Sequence, residues 1–166
     1  MNCPASIWAK SACVLALAVG QLLAQSGDAG KGKALVESSG CLGCHRVADK
    51  GSRTGPDLSE IGDKRKPERI QQSIVAPDEE VLPENRYVSV VLKDGTTVKG
   101  RLLNHDAISV QLIDTKEQLR SFQTSAIRGY TILLKGLMPS FQGKLSDEQI
   151  ADIVAYLSSL KGTDQP

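Results

Sequence analysis

Apolar residues follow a helical period at both ends of the main body of the chain and a period of two between them. Near the front, Ala34, Leu35 and Val36 give an apolar side to a helix over Asp28 to Ser38, with Asp28 as its N-cap. Gly30 and Gly32 weaken that helix by themselves, and instead allow another helix to come close. Val47 to Lys66 reads mostly as loop. Pro67 opens a short helix that Arg69 to Val75 continues, with Ile70, Ile74 and Val75 apolar, until Ala76-Pro77 stops it. The final helix has the strongest pattern. Ser146 and Gln149 form an S-x-x-Q capping box, Ile150, Ile153, Val154, Leu157 and Leu160 follow at helical spacing, and Gly162 closes it. Tyr156 packs on the first helix or faces solvent. The regular apolar positions are core.

Between these helices the period drops to two. Tyr87 to Leu92 predicts a strand, Lys93-Asp94-Gly95-Thr96 a hairpin turn, and Thr97 to Leu103 a second strand. Asn104-His105-Asp106 turns the chain. Ile108, Val110 and Leu112 alternate with Ser109 and Gln111 in a third strand. After a turn at Asp114-Thr115-Lys116, Gln118 to Gln123 makes a fourth and Ile127 to Leu134 holds a fifth. Five short strands joined by tight turns predict a small curled sheet or barrel.

Ahead of this body lies a leader. Lys10 is followed by the apolar run Ser11 to Leu23, which is short for a membrane span, and Ala24 offers a small residue for cleavage. Residues 1–24 therefore read as a secretory signal peptide; Leu22, where a small residue is preferred, leaves an uncleaved anchor as the alternative. Cys13 does not follow the apolar run, which argues against a lipoprotein. Export implies a periplasmic or otherwise external location with no stable membrane span after cleavage. The charged residues that remain are 19 basic and 19 acidic, so no overall positive field draws the chain to nucleic acid.

The leader takes Cys3 and Cys13 with it and leaves two cysteines, both in Cys41-Leu42-Gly43-Cys44-His45. A C-x-x-C-H run is the attachment signal for c-type haem: two thiols on one turn reach the two vinyl groups, and the next residue presents an imidazole to the iron. A thioredoxin-like dithiol needs a βαβ setting, which the glycine-rich surroundings do not provide. A structural zinc needs four ligands, and the remaining donors, with His45 adjacent to Cys44 and His105 distant, form a poor set.

The second face of such an iron needs a ligand or stays open. Once Met1 leaves, Met138 is the only methionine, set in Gly136-Leu137-Met138-Pro139-Ser140-Phe141. Proline next to it stiffens a non-helical loop. A thioether is a soft ligand that favours ferrous iron and raises the potential. Met138 is thus read as the second axial ligand in preference to a core gap-filler; His105, in its turn, is the rival. Gly55-Pro56-Asp57-Leu58 is by itself a turn signal, although a proline carbonyl there could supply the acceptor that holds the free ring nitrogen of His45.

With CLGCH, GPDL, LMPSF and a closing helix ending AYLSSL, the chain resembles class I c-type cytochromes. It is more narrowly similar to haem-binding domains of planctomycete-type exported proteins, in which a β segment separates the histidine and methionine halves. The resemblance implies haem c held by Cys41 and Cys44, His45 and Met138 as iron ligands, and the Pro56 carbonyl on His45. It also implies an α+β fold: a cytochrome c-like helical domain, 25–83 and 135–166, interrupted by a five-stranded β-barrel-like insertion over 84–134.

VVLKDGTTVKGRLLNHD in the insertion resembles Sm-like and SH3-like barrels. RNA binding is not expected, because the segment has few aromatics for base stacking, Val110 falls near the position of the Sm asparagine, and export removes the chain from RNA. The expectation is an exported electron carrier, not an enzyme, that passes single electrons between redox partner proteins. From Asn85 to Lys135 there are 8 basic and 4 acidic residues, which leaves the remainder acidic and offers a patch for electrostatic steering. The alternatives are a haem-based sensor or small-ligand binder, and an electron-accepting accessory subunit of an exported dehydrogenase. No spare distal acid or histidine beside Met138 points to peroxidase chemistry.

Overall fold

The computed structural model describes residues 27–162. The expected signal peptide over 1–24, with Cys3 and Cys13, lies outside the described residues, as do 163–166.

Helix α1 (Ala29–Ser38) begins where the sequence predicts. The Asp28 carboxylate accepts the N–H groups of Gly30 at 2.7 Å and Lys31 at 3.1 Å, capping donors that have no partner inside the helix. These bonds, Lys31's foremost, hold its carboxyl below the usual carboxylate range. Helix α4 (Asp147–Ser159) crosses α1. At the crossing a Cβ on Gly32 would overlap the Asp152 carbonyl and lie 2.9 Å from Tyr156 Cβ, so only glycine fits. Gly30 makes no such approach; its nearest neighbour is the Asp28 carboxylate. The capping box of α4 is formed: Gln149 N–H donates to Ser146 Oγ at 3.2 Å, and Ser146 N–H to Gln149 Oε1 at 2.9 Å.

Two details of the helical part differ from expectation. The chain between Val47 and Lys66 contains a four-residue helix, α2 (Ile61–Lys64), too short to show a period. Gly162 does not cap α4, which ends at Ser159; it donates its N–H to the Asp63 carboxylate at 2.7 Å, while Gly62 N–H donates to the Leu160 carbonyl at 2.9 Å. The end of α4 is therefore tied to α2. Helix α3 (Pro67–Val75) starts on its proline and stops before Pro77. Val36, Ile70, Ile74, Ile150, Ile153 and Leu157 form the buried core of this part.

A small hairpin, β1 (Arg46–Val47) with β2 (Lys50–Gly51), follows the cysteine turn. Five longer strands lie between α3 and α4 in the chain: β3 (Tyr87–Leu92), β4 (Thr97–His105), β5 (Ser109–Asp114), β6 (Leu119–Gln123) and β7 (Ile127–Leu133). They form one sheet in the order β6-β5-β4-β3-β7, each neighbour antiparallel. Val88, Val90, Val110 and Leu112 make its core, all at most 1 % exposed.

The expected barrel does not close. After β6 the chain crosses through Thr124–Ala126 to pair with β3 at the opposite edge, and the described strands β6 and β7 are not paired with each other. Register shifts at Val91/Leu92 and Leu102/Asn104 curl the sheet without joining its edges. The second shift also lengthens β4 beyond Leu103, so His105 ends a strand where a turn was expected. Asp106 makes that turn by accepting the N–H groups of Ile108 at 2.7 Å and Ser109 at 2.8 Å. Ile108 consequently stands outside β5 and is 76 % exposed.

Candidate haem site

Cys41–Gly43 form a single 3-10 turn. The Cys41 carbonyl accepts the N–H of Cys44 at 3.2 Å and of His45 at 2.9 Å, which gathers two thiols and an imidazole on one short arc of backbone. Both cysteines are free thiols. Cys41 is half-buried against the helical core, and burial pushes its thiol pKa up; Cys44 is exposed.

The His45 ring is fixed from behind. Its Nδ1 lies 2.9 Å from the Pro56 carbonyl. A carbonyl only accepts, so Nδ1 carries the proton and Nε2 keeps its lone pair. Burial pushes the His45 pKa down, the Pro56 bond opposes this, and the nearby Arg101 charge adds to the lowering. Burial thereby favours the neutral imidazole, the form that ligates a metal. Gly55 makes room for the ring: its N–H donates to the Cys44 carbonyl at 2.7 Å, and a Cβ there would sit 3.0 Å from His45 Nδ1.

Met138 occupies the loop between β7 and α4. Gly136 N–H donates to the Asp78 carboxylate at 3.1 Å, Ser140 Oγ to the Val75 carbonyl at 2.6 Å, and Phe141 N–H to the Ile74 carbonyl at 3.0 Å. These bonds pin the loop to the end of α3. Met138 is half-buried on the same apolar cluster as Cys41 and Leu42. His105 is exposed at the far end of β4, with its ring centroid 4.6 Å from that of Tyr130. Nothing in the structure connects it with His45.

The donor set suits a c-type haem: two free thiols three residues apart, an adjacent imidazole with Nε2 free, and a glycine cradle behind the ring. Among the described residues no three or more His, Cys, Asp or Glu side chains gather as a metal-holding group of their own.

Two residues that the sequence did not single out for the site bind its loop. Tyr87 Oη donates to the Thr54 carbonyl at 2.7 Å, and Arg101 Nε donates to the same carbonyl at 3.2 Å. Arg101 Nη2 also donates to the Arg53 carbonyl at 3.3 Å. A cavity of about 500 Å³ opens along this seam, bordered by Arg46, Arg53, Gly55, Asp57, Arg101 and Ile113. A signal existed in the sequence, since a hairpin centred on Asp94 pairs Tyr87 with Arg101 at its open end. What they touch was hidden, because Thr54 is 33 residues from Tyr87 and 47 from Arg101.

No helix among the described residues is long and apolar enough to cross a membrane. Comparison with curated proteins gives no match. Residues 29–107, just under half of the chain, match the family model for cytochrome c. The match spans α1, the cysteine turn, His45 and Pro56 and ends in the sheet, so Met138 and α4 lie beyond it. Members of that family bind covalently attached haem c and are typically electron carriers, and the match supports a c-type cytochrome.

Proposed function

We propose that the chain is an exported, monohaem c-type cytochrome that carries single electrons between redox partner proteins. One observation carries the reading: Cys41, Cys44 and His45 share one turn, with His45 Nδ1 bonded to the Pro56 carbonyl and Nε2 left free. Bound haem supplies one-electron exchange at its iron. Cys41 and Cys44 attach it, and His45 ligates it from a ring orientation that Pro56 fixes. Met138, on a loop pinned to α3, would supply a second iron ligand. A loop held at three points costs little rearrangement when the iron changes charge, as fast transfer requires.

In this reading 25–83 and 135–166 form the haem domain, and 84–134 is an insertion that docks on it. The basic balance of the insertion favours an acidic redox partner. The signal peptide that the sequence predicts over 1–24 would send the mature protein to the periplasm or beyond. No catalytic residue is assigned.

The test is expression with c-type maturation machinery, denaturation to remove non-covalent haem, and redox titration of what remains. One covalent haem titrating as a one-electron couple is expected, with attachment lost in C41S/C44S. A chain that stays haem-free, or recruits zinc through the two thiols, contradicts the proposal.

A further inference from the structure

The β-sheet does more than lie beside the haem loop. Tyr87 and Arg101 are direct partners across β3 and β4, and both donate into the loop at Arg53 and Thr54. Tyr87 is 7 % exposed, while its neighbour Val88 points into the sheet core. Alternation along β3 therefore assigns Val88 and Val90 to folding the sheet and Tyr87 to the haem loop. The two donors converge on one carbonyl, which holds the loop more firmly than either alone.

From that carbonyl the path to His45 is short and bonded throughout. Thr54 Oγ1 donates to the Cys44 carbonyl at 3.4 Å, and the same carbonyl accepts Gly55 N–H at 2.7 Å. The next residue, Pro56, accepts from His45 Nδ1 at 2.9 Å. Proline has no N–H and a fixed φ, so its carbonyl position follows from where 53–55 are held. The strength of the Nδ1–H···O bond sets how strongly an imidazole donates to a metal.

We propose that Tyr87 and Arg101 are positioning residues for the proximal histidine: by holding the Arg53 and Thr54 carbonyls they press Pro56 onto His45, so that the sheet helps to set the redox potential. The inference rests on the reading that His45 ligates haem iron. A firm bond makes the imidazole a better donor and favours ferric iron; a slack loop weakens the bond and favours ferrous iron. The insertion is then part of the electronic environment of the haem, and a change that shifts the Tyr87 or Arg101 donors off the Arg53 and Thr54 carbonyls alters the potential.

The test uses the full holoprotein with two charge-conserving variants, Y87F and R101K, and a control, V90A, which loosens the sheet core without touching the loop. In each, the ratio of reduced to oxidised protein is read at one fixed ambient potential, and exchange of the His45 Nδ1 proton is followed by NMR. Y87F and R101K are expected to raise the ratio by about threefold to tenfold, tenfold being about 59 mV for one electron, and to speed the exchange. V90A is expected to lower thermal stability and change neither. If Y87F and R101K lose stability but keep ratio and exchange, the bonds are a tether only and the proposal is overturned. It is equally overturned if neither variant loads haem. Wild-type protein with no covalent haem, or with His45 unligated, defeats the underlying reading; a normal wild type with unshifted variants defeats only this inference.

Discussion

The sheet and the helical part bury their apolar side chains differently. Val88, Val90, Val110 and Leu112 seal the sheet, drawn from two strands whose side chains alternate in and out. The helical part has six buried apolar core residues and a wide margin of half-buried ones, Cys41, Leu42, Met138 and Phe141 among them. Its closest packing is backbone on backbone, α1 on α4 at Gly32. The sheet core thus rests on the volume of its side chains, whereas the α1–α4 crossing rests on a missing one as well. The candidate chemistry lies on the margin of the helical part, where thiols, imidazole and thioether belong to short turns and loops and not to the sealed core.

Perturbing each region by its own principle sharpens the contrast. L112A removes the largest side chain of the sheet core and is expected to cost about 2–5 kcal/mol. Hydrogen exchange is predicted to accelerate in β3 to β7 first, with α1 and α4 still protected; equal loss in both regions would mean that they fold as one unit. G32A adds a single methyl at the helix crossing and forces α1 from α4, at a cost of about 1–3 kcal/mol typical of overpacking. Here the order should reverse, with α1 and α4 exchanging before the sheet. S146A removes one cap of α4 and costs about 1 kcal/mol by denaturant titration, confined to the first turn of that helix.

The same contrast explains what was legible in the sequence. The α4 capping box, the proline start of α3 and the Asp28 cap are local devices, and all three stand where the residues predict. Cys41-Leu42-Gly43-Cys44-His45 is legible for the same reason, since attachment chemistry needs its groups within one turn. Closure of the sheet was not legible: alternation gives faces but not whether β6 meets β7. The extension of β4 to His105 depends on a register shift that no period reveals. α2 is barely one helical turn, too short for its spacing to show a period, and the bond of Gly162 to Asp63 spans 99 residues. Tyr87 and Arg101 fall in predicted strands, and only the fold brings their donors to Thr54.

The central claim is that Met138 completes a His/Met-ligated electron carrier, and it is tested by an optical redox titration of the holoprotein beside M138A. The account predicts a low-spin spectrum with a methionine-to-iron charge-transfer band in the wild type. In M138A that band should vanish and the potential should fall steeply, while haem stays covalently attached through Cys41 and Cys44. A spectrum and a potential unchanged by the substitution would make Met138 a packing residue of the helical core and contradict the account.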